Sequence, residues 1–254
     1  MSEEPKSVVV ITGAGSGIGA ATARAVAAPG VAILLHTRKN EAGLGKVADE
    51  VRARGAMVET FLGDLGSAGV PEDLIAATQA RFGRVDQIVS NAAQAARSTF
   101  GVLTPAELEA AFASMPVAFL RLVNAALGDL VASRCGRVVA VSSFVAHGFG
   151  TGDLYFPATS AAKAALEALS KALAIQLARM GTTVNIVVPG FTKKDEGIHA
   201  AASSDALVKA AAITPTGRLT TPDDLANTIA FLLSDGAAQI TGQTIHVDGG
   251  LLLP

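Results

Sequence analysis

The sequence predicts an α/β protein: a Rossmann-like, doubly wound parallel sheet with helices on both faces, in three α/β/α layers. Three observations predict it. Strand-like apolar runs alternate with amphipathic, helix-like runs along the whole 254-residue chain. The strand runs are almost continuously apolar, as strands buried on both faces must be. A glycine-dense turn joins the first strand to the first helix, where such sheets hold a phosphate.

The elements follow in order. Residues 7–12 (SVVVIT) read as a buried strand and 17–28 as a helix, closed by Pro29 and Gly30. A strand over 31–36 precedes a helix over 41–54, which Gly55 ends. A strand at 57–62 and a helix at 71–81 lead to a strand at 85–90. Two helical runs, 105–114 and 117–133, come before the strand 137–142 (RVVAVS). A long helix over 159–180, a strand at 183–188, helices at 204–212 and 222–233 and a last strand at 244–247 complete the chain. No linker, repeat or low-complexity tract interrupts them, so residues 1–254 read as one domain.

Composition narrows the function. Half of the residues are hydrophobic and 17% are charged, which provides for a large core. A mean hydropathy of +0.44 suggests more apolar surface than a monomer buries, and so an oligomer. A net charge of −2 and a pI near 6.1 give no electrostatic footprint for nucleic acid or an anionic membrane. Cys135 stands alone, which excludes a disulfide framework and a thiolate metal cluster. No His/Cys/Asp/Glu set has metal-ligand spacing, so no metal site is expected. The start lacks the basic-then-apolar order of a secretory signal, and no run of about 20 apolar residues is free of charge and glycine. The expected home is the cytosol.

The turn after the first strand reads TGAGSGIG, with Gly13, Gly15, Gly17 and Gly19 around Ser16 and Ile18. Glycines there let backbone amides approach a pyrophosphate seated on the positive end of the helix. An acid commonly ends the second strand to hold a ribose 2′-hydroxyl. Here that strand ends His36, Thr37, Arg38, Lys39, with no carboxylate until Glu41. A cationic pair suits a 2′-phosphate, so NADP(H) is favoured over NAD(H).

The loop, spaced T-G-x-x-x-G-x-G, resembles that of the short-chain dehydrogenase/reductase family, and further matches run in order through the chain. Asp64-Leu65 resembles the adenine-contacting acid and its neighbour. Ser90-Asn91-Ala92-Ala93 stands where the family has N-N-A-G. Ser142-Ser143 ends the fifth strand, where the second serine is usually catalytic. Pro189-Gly190 resembles the turn over the nicotinamide, and GQTIHVDGG the C-terminal strand. The resemblance implies that Lys163 binds the nicotinamide ribose and that Thr192 contacts the carboxamide or a phosphate. It also implies a substrate lid at about 191–215 and a homotetramer or homodimer. Small residues Ala161, Ala162, Ala164, Ala165 and Ala168 would let partner helices approach closely.

The family's tyrosine, four residues before the lysine, is missing: Thr159 stands there. Threonine keeps a hydroxyl but has neither the acidity nor the reach of a phenol. The family's enoyl reductases place tyrosine seven positions before the lysine, which here is Phe156. The only tyrosine, Tyr155, lies twelve residues after Ser143, close to the usual serine-to-tyrosine interval, whereas Lys163 lies twenty after it, about three more than usual. A short insertion between tyrosine and lysine explains both, with Pro157 suited to a helix's first position. The family's asparagine on the preceding helix is replaced by Met115, before Pro116. His147 and, in the lid, Lys193, Lys194, Asp195, Glu196 and His199 are further polar residues, read mainly as solvated.

The expected function is NADP(H)-dependent reduction of a carbonyl or activated double bond of a small molecule. Ser143 would orient the oxygen, and Tyr155 or a water held by Thr159 would supply the proton. Two alternatives are a nucleotide-binding sensor or assembly protein with little turnover and a non-redox enzyme on the same scaffold.

Overall fold

The computed structural model describes residues 4–193 and 204–253. Within them lie β1 (Ser7–Ile11), α1 (Gly17–Val26), β2 (Val31–Thr37), α2 (Glu41–Ala53), β3 (Met57–Leu62), α3 (Val70–Phe82) and β4 (Gln87–Ser90). The second half holds α4 (Pro105–Phe112), α5 (Ala118–Ala132), β5 (Arg137–Val141), α6 (Pro157–Leu177), β6 (Thr183–Pro189), α7 (Ser204–Ala212), α8 (Pro222–Leu233) and β7 (Thr244–Val247). One seven-stranded sheet gathers the strands in the order β3-β2-β1-β4-β5-β6-β7. All its pairings are parallel.

The period of two along a strand divides the core. Val8, Val10, Leu34, Ile88, Val138 and Ile186 face α3, α5 and α6, packing on Leu74, Leu122, Leu130, Leu166 and Leu177. Val9, Ile11, Ile33, Leu35, Val89, Val139 and Val187 face the other way, onto α1, α2 and α8. Both faces are therefore covered, which is why the strands carry almost no polar alternation.

Most element ends shift by one or two residues from the sequence expectation, and two differences have a clear physical cause. The runs around 105–114 and 117–133 form one continuous helical stretch, joined by a π-helical turn at Ala113–Val117. Pro116 lies inside that turn and has no N–H to donate. The Ala118 amide then reaches back five residues to the Ala113 carbonyl, widening the turn instead of breaking the helix. The long helix starts at Pro157 rather than 159, because a proline in the first turn needs no donor.

The joined stretch Pro105–Ala132 is long and apolar enough by composition to cross a bilayer. Its inner face, with Phe119, Leu122, Val123, Ala126 and Leu130, packs in the core. The chain reverses direction across the sheet between β1 and β4, and the crevice beyond the strand ends there is where this architecture places ligands.

Candidate active site

The glycine loop after β1 is held open from below. Gly13 and Gly17 have φ of +68° and +56°, which favour glycine. A Cβ at residue 19 would lie 2.3 Å from the Gly13 carbonyl oxygen, so only glycine fits. Nothing stands within 4 Å of where a Gly17 Cβ would project. Ser16 leaves the start of α1 without a side-chain cap, and no acid sits in its first turn. Such a helix start suits a phosphate.

Asn91 braces the loop. Its Nδ2 donates to the carbonyls of Thr12 at 2.9 Å and Gly13 at 3.2 Å. The amides of Asn91 and Ala92 both donate to Thr12 Oγ1. Ala93, next in the loop, is exposed. Asn40 adds a second brace by donating to the Gly15 carbonyl at 2.9 Å.

At the adenosine end, Thr37 is buried while Arg38 and Lys39 are exposed. Arg38 donates to Gln94 at 2.8 Å and lies 3.7 Å from Asp64. Lys39 has no ionic partner among the described residues. Asp64 also accepts from the Gly66 amide, and Leu65 is buried beneath it. A loose surface pair and a free cation can turn to an incoming phosphate, so these residues fit a 2′-phosphorylated dinucleotide. Beyond β6, Pro189 and Gly190 are buried, and a Cβ at 190 would lie 2.8 Å from Asp248 Cα. Thr192 turns inward to donate to the Gly190 carbonyl at 3.0 Å.

Lys163 is 3% exposed, and its Nζ donates to the Val141 carbonyl at 2.6 Å, at the end of β5. Burial lowers its pKa to about 8, against the opposing charge of Glu167. Glu167 is 5% exposed and lies one turn further along α6. Its Oε1 accepts from the Ser142 hydroxyl and lies 2.9 Å from His147 Nε2. His147 is therefore tied to a buried carboxylate rather than merely solvated, and its ring meets the edge of His246 at 4.8 Å. The neighbouring Ser143 is half-buried, and its Oγ accepts from the Val145 amide at 3.4 Å.

The two candidate proton donors part company. Thr159 is 5% exposed, and its hydroxyl accepts from the Ala96 amide at 3.0 Å, fastening α6 to the loop after β4. Tyr155 is 57% exposed, and its hydroxyl has no hydrogen-bond partner among the described residues. The tyrosine lines an apolar pocket of about 180 Å3 with Phe100, Val145, Phe149, Leu154 and Phe156. Ser160, the residue after Thr159, lines it too, so the pocket abuts that turn of α6. No hydrogen bond joins Ser143, Tyr155, Thr159 and Lys163 to one another. Met115, at the expected asparagine position, is 2% exposed and packs with Ala158 and Ala162.

Sequence reasoning did not single out Glu167 or Asn40. Glu167 was legible from its spacing, four residues after Lys163 on one helix face. Asn40 had the signal of a helix cap, which it is, accepting from the Gly43 amide at 3.1 Å. Lys194, Asp195, Glu196 and His199 lie outside the described residues, as does the corresponding part of the expected lid.

Comparisons with known proteins bear on this geometry. Residues 13–252 match the model of a family described as enoyl-(acyl carrier protein) reductase. The chain is 33% identical over 253 residues to the 3-oxoacyl-[acyl-carrier-protein] reductase FabG of Salmonella typhimurium, covering all of both chains. It is 34% identical to a (2S)-[(R)-hydroxy(phenyl)methyl]succinyl-CoA dehydrogenase subunit of Thauera aromatica, covering 96% of this chain and 95% of that one. Among solved structures, an actinorhodin polyketide ketoreductase with NADPH superimposes with a TM-score of 0.89 at 29% identity, over the full length of both. A 3-oxoacyl reductase from Agrobacterium tumefaciens with NADP bound gives 0.87 at 28% identity, over 96% of this chain and 94% of that one.

Proposed function

The chain belongs to the short-chain dehydrogenase/reductase family, and from that premise we propose that it is an NADP(H)-dependent oxidoreductase reducing the carbonyl of an apolar small molecule. The observation that carries this reading is the turn of α6 where a buried lysine of lowered pKa lies near an apolar pocket rimmed by the chain's only tyrosine. NADPH, when bound, supplies the hydride. The glycine loop, with Gly13, Ser16, Gly17, Ile18 and Gly19, holds the pyrophosphate. Thr37, Arg38 and Lys39 recognise the 2′-phosphate, while Asp64 and Leu65 border the adenine. Asn91, Ala92 and Ala93 flank the loop; Pro189, Gly190 and Thr192 border the nicotinamide.

Lys163 holds the ribose. Ser143 holds the substrate oxygen. Tyr155 gives the proton to that oxygen. Its hydroxyl is free and exposed, whereas the Thr159 hydroxyl is buried and already accepts from Ala96, which supports the tyrosine over a water on Thr159. With Phe156 seven residues before the lysine, a carbonyl is favoured over an activated double bond. The exposed small-residue face of α6 joins a second copy.

The test is NADPH oxidation with a panel of apolar ketones. Tyr155→Phe removes a hydroxyl without a partner, so stability should hold while turnover falls about 10²–10⁴-fold. Thr159→Val should leave more activity than Tyr155→Phe. Unchanged turnover in Tyr155→Phe would refute the donor. The absence of tyrosine at 159 favours a second reading, a nucleotide-binding protein without turnover. A wild type that binds NADPH and reduces nothing in the panel would support it.

A further inference from the structure

We propose that His36 is a positioning residue for the dinucleotide loop: its neutral imidazole ties the loop at Gly13 to the exit of β3 at Gly63. The proposal rests on the nucleotide reading above and adds a residue to it. His36 lies near the end of β2 and is 1% exposed. Its Nδ1 lies 3.4 Å from the Gly13 amide nitrogen, and its Nε2 lies 2.9 Å from the Gly63 carbonyl oxygen.

The partners fix the tautomer. A backbone amide can only donate, so Nδ1 must be bare; a carbonyl can only accept, so Nε2 must carry the hydrogen. Gly13 is thereby gripped at both polar atoms, its carbonyl by Asn91 Nδ2 and its amide by His36. Gly63 immediately precedes Asp64, so one ring links the phosphate-facing loop to the residue at the adenosine end. Backbone bonds run alongside, from the Ala14 amide to the His36 carbonyl at 2.7 Å and from the Gly63 amide to the Thr37 carbonyl at 3.2 Å.

Protonation would put an N–H on Nδ1, facing the Gly13 amide, and break the tie. Burial holds the ring below the ordinary histidine pKa, with the Gly63 bond and the Asp64 charge opposing. Asp64 is the charged group acting on the ring, and Arg38 stands 3.7 Å from its carboxylate. The other neighbour, the Phe61 ring at 6.3 Å between centroids, is uncharged. The tie is therefore present near neutral pH and strained in acid.

Two variants separate hydrogen bonding from packing. His36→Gln can offer an oxygen to Gly13 and an N–H to Gly63 but cannot take a charge. His36→Phe keeps the bulk and loses both bonds. NADPH affinity would be read by fluorescence titration between pH ~8 and ~5.5, and Gly13 amide exchange by NMR without nucleotide. At the alkaline end His36→Phe should bind about tenfold more weakly and exchange Gly13 faster, with His36→Gln close to wild type. As the pH falls below the ordinary histidine range and the buried ring takes up its proton, wild-type affinity should fall more steeply than that of His36→Gln. The proposal is overturned if His36→Phe matches wild type, if His36→Gln is as impaired as His36→Phe, or if wild type and His36→Gln have superimposable pH profiles. Should His36→Phe not fold, the comparison of wild type with His36→Gln decides alone. Should wild type bind no NADPH, the nucleotide reading fails, and slow Gly13 exchange in wild type and His36→Gln but not His36→Phe still reports the tie.

Discussion

Replacing Glu167 with Gln removes one buried negative charge while keeping the side chain's size and its capacity to accept from Ser142. Glu167 is the group that holds the Lys163 pKa up against burial. One helical turn separates them, about 6 Å between side-chain origins. At an effective dielectric of about 20, two unit charges at that distance interact by about 2.8 kcal/mol, worth about two pH units. Sharing of the carboxylate with Ser142 and His147 makes about one pH unit the lower bound. With a pKa of about 8, Lys163 is largely ammonium at neutral pH. In Glu167→Gln the protonated fraction at pH 7 should drop to between about a half and a tenth, cutting turnover about two- to tenfold. The rate should recover on acidification toward pH ~6.

The sign is fixed by the direction of the shift. Lys163 has a lowered pKa in the folded chain, so above about 8 it is neutral while an unfolded chain's lysine still carries its proton. Stability therefore rises with pH between that point and the ordinary lysine range, while activity falls through the same window. The assay is kcat/KM for NADPH-dependent ketone reduction across pH, with thermal melts on the same samples. If the alkaline limbs of wild type and Glu167→Gln coincide, Glu167 does not set the lysine's charge and the reasoning fails.

Two further outcomes test the scaffold. Leu166, 1% exposed between α6 and the sheet, should cost about 2–5 kcal/mol of unfolding free energy when cut to Ala. A loss under about 1 kcal/mol in urea denaturation would mean that this layer is not packed as described. Ile175, 82% exposed on the α6 face that carries Ala161, Ala164 and Ala168, is the test of self-association. Ile175→Lys should leave unfolding free energy within about 0.5 kcal/mol but lower the mass measured by light scattering, and an unchanged oligomer would exclude that face.

What was legible in the sequence follows the physics of each signal. The central strands, buried on both faces, write themselves as apolar runs; the edge strands β3 and β7, only partly buried, are read at the same residues where the structure begins and ends them. The joined α4–α5 stretch was not, because Pro116 reads as a helix end. The Ala113 and Met115 carbonyls, which accept from the Ala118 amide, let one wide turn absorb it. The glycine loop was visible because glycine at Gly13 and Gly19 answers a local backbone need. Its braces were not: Asn40 and His36 act across 25 and 23 residues of chain, a distance that no local pattern encodes. Glu167 had a spacing signal, but its burial was hidden for a different reason. A glutamate on an alanine-rich helix looks solvated until the fold buries it against Ser142 and His147.

Lys163 and Tyr155 are positioned by different parts of the fold. Lys163 keeps its place because α6 is anchored by Leu166, Leu173 and Leu177 in the core, so the helix cannot slide. Ahead of the helix, Gly150 and Gly152 turn the chain with φ of +77° and +65°, before Pro157 starts α6. A Cβ at 150 would lie 3.3 Å from the Tyr155 ring, and one at 152 would lie 3.2 Å from the Phe191 ring. Those glycines let the loop fold tightly enough to bring Tyr155 over the apolar pocket. Thr159, on the helix itself, is an anchor: its hydroxyl fastens the loop after β4 through Ala96. A tyrosine restored at 159 would displace that anchor and crowd the buried site, so Thr159→Tyr should lose stability rather than gain turnover. Tyr155 and Lys163 therefore come from different segments, the loop before α6 and the helix itself.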